Sequence, residues 1–122
     1  MTINQAIEKV NKLKDNAFDD EIIKGFLEDC DRRVYREIIE THEDNKFDYD
    51  TRYPLKGDAQ LLAEDGYNDF YIFYAISQID VFTGEIERYT NNMILFNTKF
   101  DEFSSFYNRR HKPLGKQFIT TY

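Results

Sequence analysis

Cysteine and histidine, two residue types that often take part in catalysis, are few and scattered in this chain of 122 residues. Cys30 is the single cysteine, and it falls on the apolar side of a helical pattern, where no cationic cluster would activate its thiol. His42 and His111 each stand where a helix is predicted to end, and a cation at that place is stabilised by the helix dipole. We therefore expect a buried structural cysteine, two capping histidines and no catalytic residue.

No segment of the sequence matches the residue spacing of a known metal-binding or cofactor-binding motif. Asp44, Asp48 and Asp50 offer the hard oxygen ligands that calcium prefers, but an EF-hand loop beginning at Asp48 would need Asp or Asn in place of Arg52 and glycine in place of Tyr53. The sequence also lacks the glycine-rich phosphate loop, the dinucleotide fingerprint, the nucleophile elbow and the H-E-x-x-H motif. It predicts no metal site and no cofactor, and we do not expect an enzyme.

The charge balance argues against two large classes of partner. The chain has 16 Lys and Arg against 23 Asp and Glu, a formal net charge of -7. Duplex DNA and anionic membranes both favour clustered positive charge, so neither is expected to be the main partner. One basic cluster, Arg109 to Lys112, could contact phosphate, but its place at a predicted helix C-terminus favours an interaction with the helix dipole.

Two amphipathic helices are predicted in the first third of the chain. Thr2 and Gln5 form a capping-box pattern ahead of the apolar stripe Ile3, Ile7, Val10 and Leu13. Asp19 is the predicted N-cap of a second helix that runs to about His42, with Phe18 placed to pack on Ile23. The apolar stripe of the second helix contains Ile23, Leu27, Cys30, Val34 and Ile38, and its solvent side contains Glu28, Asp31, Arg32 and Arg36.

Helical periodicity returns over residues 68–110. Two stripes follow each other almost in phase: Tyr71, Ala75, Ile79, Phe82 and Ile86, then Met93, Phe96, Phe100, Phe103 and Tyr107. One long helix and a helical hairpin both fit this pattern. We favour a hairpin that turns between Gly84 and Asn92 with Thr90 as the new N-cap, because glycine is a poor helix interior residue. The second helix and the Met93 to Tyr107 helix are expected to be the central pair.

One cluster of aromatic residues is too widely spread around its helix to be buried against a single core face. Phe70, Tyr71, Phe73 and Tyr74 spread over more than half of a helix circumference at about 100° per residue. Because tyrosine is enriched at protein interfaces, an intersubunit surface is the expected destination for part of this cluster.

Two segments outside the helical stripes are the predicted partner-binding regions. The connection from Glu43 to Gly66 has no helical period, yet it is too apolar for a free tether, so it should pack on its own domain or on a neighbouring subunit. The tail after Pro113 contains β-forming residues suited to adding a strand to a partner. The candidate contact residues are Phe47, Tyr49, Tyr53, Leu55, Phe118, Ile119 and Tyr122.

The predicted architecture is therefore all-α. We expect one domain over residues 1–122, a small bundle of about four helices with a long irregular connection and an extended tail over residues 113–122. The N-terminus has no signal-peptide pattern and no stretch reaches the roughly 20 apolar residues that span a bilayer, so a soluble protein without membrane contact is expected.

Three stretches resemble a known family. "LEDCDRRVYREII", "QIDVFTGE" and the ending "RYTNN…FN…F..FYNRRHKP" are similar to the head-tail connector (adaptor, head-completion) proteins of tailed bacteriophages and prophages, and the resemblance extends from about Val10 to Pro113. It implies an all-helical virion protein, made in the bacterial host cytoplasm, that docks beneath the portal as a ring, usually of twelve copies. It further implies contact with the next stopper or tail component, and a channel through which DNA passes without sequence-specific binding.

A second hypothesis comes from the acidic composition. A small acidic helical regulator, such as an anti-repressor or a DNA mimic, would bind a basic protein surface and would be served equally well by a charge of -7. The genes that lie beside this one would distinguish the two, because connector genes adjoin portal and capsid genes.

Overall fold

The computed structural model describes residues 1–43 and 49–114. Its helices are α1 (Ile3–Leu13), α2 (Asp20–Val34), α3 (Tyr49–Arg52), α4 (Phe70–Phe82) and α5 (Ile86–Arg110), and α2 continues as a π-helical segment over Tyr35–Ile39. Within the described ranges no strand is formed, and two isolated bridges pair Thr2 with Gln60 and His42 with Pro113. The all-α prediction is confirmed, with four long helices and an irregular connection that includes the short α3.

The first two helices begin where the sequence predicts. Thr2 is the N-cap of α1: its Oγ1 accepts a hydrogen bond from the Gln5 amide, and the Gln5 side chain accepts one from the Thr2 amide. This reciprocal pair satisfies two of the amides that a helix N-terminus leaves without partners. Asp19 is the N-cap of α2, although its side chain makes no capping hydrogen bond.

Helix α4 is the centre of the bundle. It packs against α1, α2 and α5, so the prediction that α2 and the Met93 to Tyr107 helix form the central pair is wrong. Phe70 and Tyr71 are fully buried, while Phe73 and Tyr74 are half-buried. Because α1, α2 and α5 surround α4, they bury aromatic residues that a single core face could not accommodate. Less aromatic surface of α4 is therefore left for contact with another subunit.

The hairpin prediction is confirmed, but its turn is shorter than expected. Chain reversal takes place over residues 83–85, where Gly84 has a positive φ of 76° that suits a residue without a Cβ. Helix α5 begins at Ile86, and Thr90 lies inside it, with its hydroxyl donating to the Ile86 carbonyl. Thr90 is therefore not the N-cap, because the positive φ at Gly84 already ends α4 and frees the following residues to start α5.

The aromatic stripe of α5 is core, as its spacing predicts. Phe96, Phe100 and Phe103 are buried, and the rings of all three lie 5.3 to 6.0 Å from that of Phe70 on α4. Aromatic pairs at these separations add to the free energy that burial alone contributes. The α4–α5 contact is accordingly the aromatic centre of the fold.

The bundle has two distinguishable ends. Lys14, which follows α1, pairs with Asp80 and Glu85 of the α4–α5 hairpin, and this side, where α2 also begins, is called the upper end. His42 and Asn108 join the end of the π-helical segment to the end of α5, and this side is called the lower end. At about 1.5 Å per residue, α2 and its π-helical continuation separate the two ends by roughly 28 Å.

Two of the predicted stripes run past the core at the upper end. Ile3, Ile7 and Val10 are buried on α1, and Tyr71, Ala75 and Ile79 are buried on α4. In contrast, Leu13, Phe82 and Ile86, which complete the same stripes, are exposed. The sequence prediction is wrong for these three residues, because the periodicity of one helix does not report how far its neighbours extend.

Candidate docking site at the lower end

The long connection packs on its own domain through two acidic residues of α2. Glu28 and Asp31 are predicted to face solvent, and the structure buries both, Asp31 completely. Glu28 accepts a hydrogen bond of 2.7 Å from the Leu55 amide, which fixes the connection along α2. The solvent-side prediction is wrong for these two residues because the connection covers that face of the helix and supplies polar partners there.

Asp31 is the hub of a buried polar network. Its carboxylate accepts hydrogen bonds from Arg52 Nε (2.9 Å), the Tyr53 hydroxyl (2.7 Å), the Tyr71 hydroxyl (2.7 Å) and the Leu62 amide (2.9 Å). Burial, reinforced by the Asp31 charge, raises the pKa of both Tyr53 and Tyr71 above the usual tyrosine value. Both hydroxyls therefore stay protonated as donors, and the network ties the connection to α2 and α4 at once.

The predicted contact residues of the connection lie in different surroundings. Leu55 is buried in the core of its own domain, which leaves it no surface for a partner in this fold. Tyr53 is half-buried, and the guanidinium of Arg32 lies 4.4 Å from its ring centroid. Tyr49 is half-buried and stacks on Tyr35 at 4.2 Å between ring centroids. Four further predicted residues lie outside the described ranges: Phe47, Phe118, Ile119 and Tyr122.

His42 holds the ends of two helices together. Its buried ring lies with Nδ1 within hydrogen-bonding distance of the Ile38 carbonyl and with Nε2 2.7 Å from Asn108 Oδ1. The ring also packs edge-on against Tyr107, with 4.7 Å between centroids. The predicted capping role is confirmed for His42, since the Ile38 carbonyl belongs to the last turn of its helix. His111 is the C-cap residue of α5 and stacks on Tyr107.

The C-terminal segment is fixed to the lower end by backbone hydrogen bonds. The Glu43 amide donates to the Lys112 carbonyl (3.0 Å), and the Leu114 amide donates to the Thr41 carbonyl (2.9 Å). We call residues 41–43 and 112–114 the tail root. Leu114, the last described residue, belongs to this pairing and lies at the lower end.

Positive charge surrounds the tail root. Arg109 and Arg110 occupy the last turn of α5, as the dipole argument predicts, and both are exposed. The Arg110 guanidinium lies 4.9 Å from the Phe106 ring centroid, and Lys112 is exposed with its Nζ 3.8 Å from a Glu43 oxygen. The tail root therefore has three cations, Arg109, Arg110 and Lys112, beside the carboxylate of Glu43.

Cys30 has the environment of a structural residue. It is fully buried on α2, and that burial raises the pKa of its thiol well above the usual cysteine value. A protonated thiol without solvent access is a poor nucleophile. Across the described part of the chain, no group of three or more His, Cys, Asp and Glu side chains is arranged to hold a metal ion. None of the described helices combines the length and the apolar character that crossing a membrane requires.

Comparison with protein-family models, with curated proteins and with solved structures finds no significant match for this chain. The functional argument therefore rests on the residues of the chain itself and on the surfaces that the fold builds from them.

Proposed function

We propose that this chain is a head-tail connector of a bacteriophage or prophage particle, which docks as a ring beneath the portal and extends the DNA channel towards the tail. The observation that supports this function most strongly is the tail root. Backbone hydrogen bonds to Thr41 and Glu43 fix the C-terminal segment to a folded body, so the residues after Leu114 start from a defined point. An adaptor needs this combination of a rigid body and a segment that reaches into its neighbour.

The composition of the tail fits a portal groove or a portal sheet edge. Phe118, Ile119 and Tyr122 follow the tail root within eight residues, and such residues favour strand addition or insertion into a groove. Extended segments that order on binding lose conformational entropy, which the buried apolar area offsets. In this proposal the tail provides the portal contact, and the basic surroundings of the tail root orient it.

The outer surface of α5 suits contact between neighbouring copies. Ile94 and Leu95 are exposed near the middle of this helix, outside the stripe that packs on α4. Exposed aliphatic residues on a regular helix provide apolar area for a head-to-tail contact that closes into a ring. The net charge of -7 per copy favours a channel that DNA passes without sticking, because lysine and arginine contacts supply non-specific DNA affinity. The proposed location is the head-tail junction of the virion, where the next stopper or tail protein is the second partner.

The test is reconstitution on the portal ring encoded in the same genome. The full chain should be monomeric or weakly associated by native mass spectrometry alone, and should bind the portal as a ring. A chain that ends at Leu114 keeps every tail-root hydrogen bond, so it should retain its helicity and thermal stability and lose portal binding. As a matched control, Asp29→Ala alters an exposed residue in the middle of α2 and should leave portal binding unchanged.

Two results would count against this proposal in different ways. If the truncated chain binds the portal as tightly as the full chain, the tail is not the docking segment. If the full chain shows no affinity for the portal ring, the connector function itself is wrong.

The acidic-regulator hypothesis has one specific observation in its favour. Asp19, Asp20 and Glu21 are consecutive and exposed at the start of α2. Such a row could engage a basic protein surface that normally contacts DNA phosphates. Competition between this chain and duplex DNA for a DNA-binding protein of the same phage or prophage would support the regulator, whereas a connector should not compete.

A further inference from the structure

The upper end of the bundle carries a cluster of three phenylalanine rings that the fold covers only in part: Phe82 is exposed, and Phe18 and Phe26 are half-buried. Phe82 closes α4, and its ring stacks on that of Phe26 at 6.0 Å between centroids. Phe18 meets both rings edge-on, at 6.1 Å from Phe26 and 6.0 Å from Phe82. Ile22 is exposed one helical turn before Phe26 on α2. We call Phe18, Ile22, Phe26 and Phe82 the aromatic cap.

Two members of the aromatic cap, Ile22 and Phe82, are exposed. Phe82 is 67% exposed, although it continues a stripe whose preceding members, Ala75 and Ile79, are fully buried. Leu13 and Ile86 are also exposed at this end. Scattered exposed apolar residues are normal, but three aromatic rings in mutual contact at one end of a bundle form a patch of the kind that marks an interaction site.

Several acidic residues are close in sequence to members of the aromatic cap. Four exposed carboxylates lie within four residues of Phe18 or Ile22: Asp15, Asp19, Asp20 and Glu21. The basic residues in the same range are Lys14 and Lys24. Residues 15–22 contain no basic side chain. Lys14 is close by, but its Nζ is already held by Glu85 at 2.6 Å and by Asp80 at 3.0 Å. The cap is therefore an apolar surface in a negatively charged setting.

This charge distribution decides between the possible occupants. A second copy that used the same surface would bring two sets of carboxylates together, and like charges across an interface oppose association. DNA and anionic lipid would be repelled for the same reason. A protein surface with an apolar pocket edged by lysine and arginine satisfies both features, since the rings enter the pocket while the charges pair around it.

We propose that the aromatic cap is a docking surface for a partner protein that presents an apolar pocket edged by lysine and arginine. This inference goes beyond the connector function, because it rests on the upper end, roughly 28 Å from the tail root along α2. It gives the chain a second attachment point whose chemistry differs from that of the tail.

The test uses two synthetic amphipathic helical peptides with the same leucine face, one flanked by lysines and the other by glutamates. Each is titrated into the full, isotope-labelled chain while backbone amide shifts are followed by NMR. The lysine peptide should shift the amides of Phe18, Ile22, Phe26 and Phe82, and its affinity should fall as salt is added. Phe82→Ser should weaken binding about tenfold, as expected for an aromatic anchor. Asn97→Ser alters an exposed residue of α5 that belongs to neither proposed surface, and it should leave binding unchanged.

Three outcomes would overturn this proposal. If the glutamate peptide binds as tightly as the lysine peptide, binding depends on apolar contact alone and charge has no role in recognition. Shifts confined to another surface would place the peptide site elsewhere. A concentration-dependent dimer at neutral pH, seen by sedimentation velocity and lost in Phe82→Ser, would assign the cap to a second copy of this chain. Because Phe82 is mostly exposed, the variant should fold, and its unchanged circular dichroism spectrum would confirm this.

Discussion

Replacing Asp31 by alanine should lower the free energy of unfolding by about 3 to 5 kcal/mol, the usual cost of removing one partner from a buried ion pair. The structure gives the reason for so large an effect. Asp31 is fully buried and accepts from the guanidinium of Arg52, the hydroxyls of Tyr53 and Tyr71, and the amide of Leu62. Each donor left without a partner would cost about 1 to 3 kcal/mol, and water entry offsets part of that sum.

Asp29 provides the matched control on the same helix. It is 60% exposed and pairs with Arg32 at 3.2 Å, three residues further along α2. Exposed pairs of this kind contribute about 0 to 1 kcal/mol, so Asp29→Ala should change stability by less than 1 kcal/mol. Asp31→Asn should fall between the two, since the amide keeps one acceptor oxygen and loses the charge that Arg52 pairs with.

The measurement is urea unfolding followed by far-UV circular dichroism, with the unfolding free energy compared at equal m-value. If Asp31→Ala costs no more than Asp29→Ala, the buried network does not hold the connection to the bundle, and the structural reasoning fails. A marked change in m-value would show instead that the variant alters the folded or unfolded state as a whole.

Three further predictions concern stability. Leu27→Ala should cost about 2 to 5 kcal/mol in urea unfolding because Leu27 is fully buried, and a loss below about 0.5 kcal/mol would contradict its place in the core. Gly25→Ala, in the open interior of α2, should stabilise the chain by about 0.5 to 1 kcal/mol, whereas Gly84→Ala should destabilise it because of its positive φ; a change of equal sign in both would refute this. The Met1 ammonium lowers the pKa of Asp65 from 3.8, so the stability that Asp65 provides is present above that value and is lost as pH falls through the lowered pKa. Asp65→Asn should therefore be less stable than the parent chain at about pH 6, and thermal unfolding should show this difference shrinking as the solution is acidified.

Local sequence determined where most helices begin and which of their faces is apolar. The capping box at Thr2, the start at Asp19 and the aromatic stripe of α5 depend on residues within about four positions of each other, so a single helix contains all the information. The hairpin also followed from local chemistry, since Gly84 adopts a backbone conformation that other residues rarely adopt. The predicted C-terminal tail lies largely outside the described residues and stays a prediction.

Three features were decided by tertiary structure. Asp31 has the periodicity of a solvent-facing residue, and its partners Arg52 and Tyr71 lie 21 and 40 residues away, so no local pattern indicates its burial. The central position of α4 depends on which helices surround it. Phe82 belongs to a core stripe by spacing, yet it is exposed because the neighbouring helices do not cover the upper end. The physical reason is the same in each case: periodicity records how one helix divides its residues between two faces, while burial depends on what the rest of the chain places against them.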